Sequence, residues 1–291
     1  MIAPGNDRPT DVRHVFSVDL EEYFQVQAFD GVVGRDEWSL IPSRVQASTE
    51  RILDLLDAAG ATATFFTLGW IADRHPGLVR QIAERGHEIA SHGYGHELLT
   101  RMGADEFRQD LRRSRQALEN AVSRPVLGYR APTFSLVPET AWAFDVLIEE
   151  GFEYDSSMFP IRRRGYGFPG ANPDVHTLVR PAGRLLEIPM TTTVVAGLRL
   201  PAAGGGWFRQ LPYGLTRSGF RQCEREGRTG MFYIHPWELD PEQPRMPVPL
   251  LQRVRHYRGL RRMEDRLARL LREFRFTSVR ERFFEARSSA A

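Results

Sequence analysis

The stretch Glu88-Ile-Ala-Ser-His-Gly-Tyr-Gly-His96 decides how this chain is read. Its first four residues form a short apolar run, Glu88 to Ser91, that reads as a strand, with His92 at the exit. His92 and His96 then stand four residues apart, a spacing that lets two imidazoles face one point on a helix or across a tight turn. Gly93 and Gly95 favour the turn, because glycine is poor inside a helix. Neutral imidazole is the commonest protein ligand for zinc-like metals. Two histidines alone do not make a metal site, so the question becomes what else the fold brings to that exit.

Outward from this stretch, strands and helices alternate. Val15 to Val18 is a strand ending at Asp19. A helical pattern through Val45, Ile52, Leu53, Leu55 and Leu56 stops at Gly60, and Ala61 to Thr67 is a second, β-branched and aromatic strand. Pro76 suits a first helical turn, and Gly86 lies just past its end. Ala104 to Val122 is helical. Val126 to Tyr129 is a fourth strand ending at Arg130. Pro138 to Glu150 is helical, and Phe152 to Tyr154 is a fifth strand ending at Asp155. Leu185 to Ile188 is a sixth strand, Gly214 to Glu226 a helix, and Met231 to Ile234 a seventh strand ending at His235. This order predicts an α/β fold with a parallel sheet and covering helices, and seven strands suit a distorted (β/α)7 barrel. Arg162 to Asp174 reads as a long loop and Gly204 to Phe208 as a flexible one. The stripe Val254, Tyr257, Leu260, Met263, Leu267, Leu271 and Phe274 reads as one helical core face with solvated arginines between.

Composition narrows the class. The 291 residues are 42% hydrophobic, enough for a sizeable core, and the formal net charge is +2, which implies no general attraction to nucleic acid or membrane. All 39 basic residues are arginine. Cys223 is the one cysteine and suits a reducing compartment. Met1 to Arg13 is polar with no signal-like apolar core, and no run is long enough to span a membrane, so a cytoplasmic location is expected. One domain is expected over 11–280, between flexible tails at 1–10 and 281–291.

The polar residues worth naming sit at strand exits: Asp19, His92, Arg130, Asp155 and His235. In barrels and wound sheets these exits converge on one face, where catalytic groups gather. Asp19-Leu-Glu-Glu22 supplies carboxylates, with Asp19 and Glu21 on one face by strand alternation and Glu22 on the other. One of them completes a His₂-carboxylate set, the open kind that binds water and lowers its pKa from about 15.7 to roughly 7. Arg130 either orients a neighbouring carboxylate or forms a structural ion pair. His235 is placed to give a proton to a leaving group. Trp237 either stacks on a sugar face or packs, and the Tyr94 backbone N–H can serve an oxyanion.

Asp19-Leu-Glu-Glu-Tyr-Phe, Ser91-His-Gly-Tyr-Gly-His, Gly128-Tyr-Arg-Ala-Pro, Tyr154-Asp-Ser-Ser and Phe232-Tyr-Ile-His-Pro-Trp-Glu resemble, in order, the five motifs of polysaccharide deacetylases, the NodB-homology or carbohydrate esterase family 4 group. Glu187-Ile-Pro-Met-Thr-Thr, Leu200-Pro-Ala-Ala-Gly-Gly-Gly-Trp-Phe-Arg, His235-Pro-Trp-Glu-Leu-Asp-Pro-Glu-Gln-Pro-Arg and Arg255-His-Tyr resemble the subgroup found with exosortase (PEP-CTERM) exopolysaccharide systems, so the second half, about 158–280, is expected to be subgroup-specific. The resemblance implies a distorted (β/α)7 barrel and metal-dependent removal of N-acetyl groups from N-acetylhexosamine units of an exopolysaccharide or its precursor, with zinc foremost among the divalent metals. It implies Asp19 as general base, His92 and His96 as metal ligands with Glu21 or Glu22, Arg130 orienting Asp19, His235 as general acid and Asp155 supporting that acid. Tyr94, Pro132 and Trp237 are placed at the oxyanion and substrate. Two departures stand out: Leu20 follows Asp19 where most relatives carry a second aspartate, and Gly93 stands where many carry Ser or Thr. An allantoinase-like enzyme acting on a small amide, and an inactive glycan-binding relative, are the alternatives.

Overall fold

The computed structural model describes residues 12–163 and 165–285. The expected tails at 1–10 and 286–291 lie outside the described residues, whereas Glu281–Glu285, counted with the second tail, forms a π-helical turn. The elements begin with β1 (His14–Leu20), α1 (Val45–Ala59), β2 (Thr64–Thr67), α2 (Gly69–Arg74), α3 (Pro76–Glu84), β3 (Glu88–Ser91) and α4 (Ala104–Val122). Next come β4 (Gly128–Tyr129), α5 (Ala143–Glu149), β5 (Tyr154–Asp155), β6 (His176–Arg180), β7 (Gly183–Glu187), β8 (Thr192–Val195) and β9 (Leu198–Pro201). The chain closes with α6 (Gly205–Gln210), α7 (Tyr213–Arg225), β10 (Met231–Ile234), α8 (Leu250–Tyr257), α9 (Met263–Glu273) and β11 (Phe276–Thr277).

The sheet runs β10-β1-β2-β3-β4-β5-β7-β6, with β11 also pairing β1. The seven strands from β10 to β7 are parallel, and β6 joins the end antiparallel. This is the expected α/β fold. β10 and β6 stand at its two ends, and no pairing joins them among the described residues. The seven expected strands are all present. The hairpins β6–β7 and β8–β9 add strands that the alternation of apolar and polar residues did not reveal, because their outer residues are largely solvent-exposed. The C-terminal stripe is carried by two helices rather than one, since the chain turns at Gly259, φ 84°, between α8 and α9. Among the described residues, no helix is long and apolar enough to cross a membrane.

Register explains why the exits converge. The ladder aligns Leu20, Thr67, Ser91, Tyr129, Asp155 and Glu187 across β1 to β7. Side chains alternate along each strand, so this row shares one face and the rows on either side share the other. Phe16, Val18 and Leu20, with Phe65, Phe232 and Ile234, pack under Ile52, Leu53 and Leu56 of α1 and Leu267 and Leu270 of α9. Val15 and Phe66 line the opposite face with Ala90, Tyr154, Met231 and Tyr233. Each such large side chain contributes roughly 1.5–3 kcal/mol on burial. Ser17 and Asp19 lie on that second face, and Glu21 and His92 follow in its next row.

Two buried histidines hold backbone amides at strand starts. His14 Nδ1 accepts from Gly230 N–H at 3.0 Å, and His87 Nδ1 accepts from Ala63 N–H at 3.2 Å. Burial pushes His14 down to about 3 and His87 down to about 4, with nearby arginines adding to the effect. An unfolded histidine titrates near 6.5, so between there and about pH 4 the unfolded chain binds more protons. The stability these groups contribute is therefore complete above about pH 6.5 and is lost as pH falls, by up to about 1.4 kcal/mol per pH unit for each histidine. His87→Asn, whose side-chain carbonyl accepts without titrating, is expected to lose less of its denaturation midpoint than the parent protein between pH 7 and pH 5. The same pH dependence in the two proteins would refute the assignment.

Candidate metal and active site

The exits of β1, β3, β4 and β10 open into a cleft of about 570 Å³, lined among others by Asp19, Glu21, His92, His96, Tyr233, His235 and Trp237. Arg130 lies beneath it, fully buried. Its Nη1 donates to Asp19 Oδ1 at 2.5 Å and to Ser17 Oγ at 2.9 Å. Its Nε donates to Ser156 O at 3.1 Å and Nη2 to Ser156 Oγ at 3.0 Å, while its face lies 3.9 Å from the Phe66 ring centroid. The guanidinium thus fixes one oxygen of Asp19 and leaves Oδ2 facing His235 Nε2, 3.9 Å away.

Glu21, His92 and His96 form the one cluster with metal-ligand geometry among the described residues, their ligating atoms all within 4.8 Å of one another. His92 Nδ1 lies 2.8 Å from the Arg130 carbonyl. A carbonyl only accepts, so Nδ1 carries the proton and Nε2 presents its lone pair. Burial, helped by His96, pushes His92 well below its ordinary value, so the ring is neutral as a ligand must be. Glu21 Oε1 accepts from the Trp237 indole N–H at 3.1 Å. Its Oε2 is buried without a hydrogen bond although His96 Nε2 stands 2.9 Å away, because that approach lies off the direction in which a ring N–H would donate. Burial opposes ionisation of Glu21, but His96, His235 and His92 outweigh it and hold the carboxyl below its usual range. An orphaned carboxylate oxygen, a freed imidazole nitrogen and a second imidazole are the donor set that a divalent cation completes.

Glu22 goes elsewhere, as strand alternation requires. It accepts from Arg44 N–H at 3.1 Å, Val45 N–H at 3.3 Å and the Ser43 hydroxyl, placing its carboxylate at the start of α1.

Three expectations are corrected. Asp155 does not reach His235. It shares the ladder row of Tyr129 and Glu187, on the face away from Asp19, and accepts from Ser157 N–H at 2.9 Å and Ser157 Oγ at 2.6 Å. Burial and the neighbouring Asp155 push Glu187 well above the carboxyl range. The Tyr94 N–H is not free for an oxyanion, because it donates to Asp110 Oδ2 at 3.0 Å. The same carboxylate accounts for Gly93, whose φ is 74° and whose Cβ would come within 2.9 Å of it. Pro132 is buried, and the cleft wall there is made by Thr133 and Phe134.

His235 is supported by Glu238 instead. Glu238 Oε2 accepts from His235 N–H at 3.1 Å and faces Nδ1 at 3.3 Å. Glu238 Oε1 accepts from Arg209 Nε at 2.7 Å, and Arg209 Nη1 is anchored by the carbonyls of His256 and Arg258. Burial opposes charge on Glu238, but Arg209 and His235 draw it down to about 2. Burial likewise opposes charge on His235, but Glu21, Glu238 and Asp19 outweigh it and raise the ring to about 9. Trp237 stacks on His235 at 5.0 Å and on His256 at 4.3 Å, and His256 Nε2 lies 2.7 Å from Gln243 Oε1. Glu238 and Arg209 carried no role in the sequence reading. The available signal was Glu238 three residues past His235, the spacing of a side chain that turns back to cap its own turn.

Residues 34–145 match the polysaccharide deacetylase family, and residues 156–283 match a domain of unknown function (DUF3473). A peptidoglycan-N-acetylglucosamine deacetylase of Bacillus cereus is 37% identical over 90 residues, 31% of this chain and 30% of that protein. A chitooligosaccharide deacetylase of Rhizobium leguminosarum bv. trifolii is 36% identical over 73 residues, 25% of this chain and 34% of that one. The chain spans about a third of the length of the curated relatives it matches. The structure of a candidate polysaccharide deacetylase from Mycobacterium smegmatis superposes with a TM-score of 0.64 at 22% identity, covering 100% of this chain and 96% of that one. The Puue allantoinase superposes at 0.58 with 19% identity, covering 88% and 86%. Residues 34–145 are therefore similar to the polysaccharide deacetylase family, and the fold is the one these two structures share. Asp19 and Glu21 lie before that matched segment, and His235 and Glu238 lie in the other, so the cleft draws on both matches and on the strand before them.

The first glycine of α6 is a steric requirement of this support. A Cβ on Gly205 would overlap the Glu238 carboxylate, whereas nothing stands within 4 Å of one on Gly206. Gly205→Ala is expected to lower stability by about 1–3 kcal/mol, and Gly206→Ala to leave it unchanged or slightly raised, in thermal or denaturant unfolding. Equal effects of the two would show that Glu238 is not held there.

Proposed function

We propose that this protein hydrolyses the acetamide of N-acetylhexosamine units in a glycan. The observation that carries the reading is the opposition of Asp19 and His235 across one cleft, each fixed by its own buried partner, beside Glu21, His92 and His96. A divalent ion held by those three residues, with zinc favoured by the His₂-carboxylate set, would supply Lewis-acid polarisation of the carbonyl and acidify water.

The chain's own groups do the rest. Asp19 offers Oδ2 to take a proton from the attacking water, while Arg130 keeps Oδ1 in place. Water oxygen bonds to the acetyl carbon and the C–N bond breaks. His235, charged at neutral pH, gives its Nε2 proton to the departing nitrogen, and acetate and a free amino sugar leave. Trp237 holds Glu21 through its indole N–H, and its buried ring stacks on His235 and His256 and so keeps both carboxylate and acid in place. The resemblance of the 187–257 motifs to exosortase-linked deacetylases supports an exopolysaccharide, or its precursor, as the source of the glycan.

Acetate release from N-acetylglucosamine oligomers is the test. Activity is expected to vanish on chelation and return with zinc. Asp19→Asn and His235→Ala should each lower kcat by about 10²–10⁴. Glu21→Gln should lose metal by elemental analysis, whereas Glu22→Gln should keep it and lose stability at α1. Metal-replete protein that releases no acetate from any N-acetylated glycan would overturn the reading, and turnover of a ureide in its place would favour the small-amide alternative.

A further inference from the structure

One wall of the cleft has chemistry that amide hydrolysis does not use. Arg163, Tyr166, Trp207 and Arg255 line the same cleft as Asp19 and His235. The other arginine and carboxylate charges of the cleft are paired, Asp19 with Arg130, Glu238 with Arg209 and Arg101 with Asp30 at 2.9 Å, while Glu21 faces His96 and His235. Arg163 and Arg255 have no ion-pair partner among the described residues. The Arg163 guanidinium lies 4.8 Å from the Trp207 ring centroid. Stacking occupies the face of a guanidinium and leaves the N–H donors around its edge free, the arrangement suited to a carboxylate or phosphate. Tyr166, paired with Arg163 through an isolated bridge, lines the same cleft as Trp207 and Arg255, so two cations and an aromatic platform share it.

The wall is held in register with the catalytic groups. An isolated bridge between Arg163 and Tyr166 shapes the loop after β5. On α8, Arg255 precedes His256, whose ring is pinned between Trp237 and Gln243, and the Arg255 carbonyl accepts from Gln210 Nε2 at 3.3 Å. An arginine whose neighbour is locked under the Glu21-binding indole has a fixed backbone relative to the reacting bond.

Resting on the deacetylase reading, we propose that this wall binds an anionic group, a uronic carboxylate or a phosphate, on the residue next to the N-acetylated sugar, so that the substrate is an acidic glycan. All four wall residues come from the segment matched to the domain of unknown function, which gives that segment a role in reading substrate charge.

Three soluble probes test it at low salt: chitotetraose, a tetrasaccharide alternating N-acetylglucosamine with glucuronic acid, and UDP-N-acetylglucosamine. Metal-replete protein is expected to favour an acidic probe over chitotetraose by roughly tenfold or more in kcat/KM, carried mainly by KM. Which acidic probe is favoured assigns carboxylate or phosphate. The preference should shrink at high ionic strength and collapse toward one in the Arg163→Gln/Arg255→Gln double variant. Titration calorimetry with the same probes reads the wall without turnover. If no probe is hydrolysed, the deacetylase reading fails, while calorimetric binding of an acidic probe that the double variant loses still upholds the anion site. Chitotetraose bound and hydrolysed as well as both acidic probes, or a preference that survives the double substitution, overturns the proposal.

Discussion

The buried guanidinium of Arg130 is the interaction on which the rest of the site depends. It reaches from the exit of β4 to the end of β1 and to Ser156 beyond β5. Its main chain is engaged as well: its N–H donates to Ser91 O at 2.9 Å, and its carbonyl orients His92. One residue therefore sets both the direction of Asp19 and the tautomer of a candidate metal ligand. Removing one partner of such a buried pair leaves an uncompensated charge and costs about 3–5 kcal/mol, so base position and fold stability are the same constraint seen twice.

Arg209 and Glu238 repeat the arrangement on the other side of the cleft. The first pair presents a carboxylate oxygen to the cleft. The second presents an imidazole, with the carboxylate one step behind it. The difference sorts the roles: Asp19 is left with an oxygen that accepts a proton, and His235 is left charged with a proton to give. Trp237 connects the two sides, because its indole N–H fixes Glu21 while its face supports His235.

Much of this was legible before the structure. Strands buried on both faces read as apolar runs, so their polar exits stood out, and alternation favoured Glu21 over Glu22 while leaving the two open. What stayed hidden depends on register and on partners distant in sequence. Asp155 looks equivalent to Asp19 as a strand exit, yet the ladder sets it opposite Tyr129 rather than Arg130, and one residue of offset turns it to the other face. The Tyr94 amide was lost to Asp110, sixteen residues on and on α4. Arg209 was quoted within a glycine-rich motif, but nothing local says that its partner lies 29 residues away. The glycine run looked like flexibility, and Gly205 is instead a close approach to Glu238.

That last contrast bears on how the two matched segments relate. The first contributes His92, His96 and the clamp on Asp19. The second contributes the proton donor, the carboxylate behind it, the arginine behind that and the indole that holds Glu21. Neither segment makes the cleft alone, because Asp19 and Glu21 come from before both, and Glu21 accepts from the Trp237 N–H of the second. The segment of unknown function therefore lines the same candidate site. Arg255 on α8, the residue proposed to read substrate charge, adjoins His256, whose ring stacks on the indole that holds Glu21. In so close a coupling, recognition and chemistry are set by the same packed side chains.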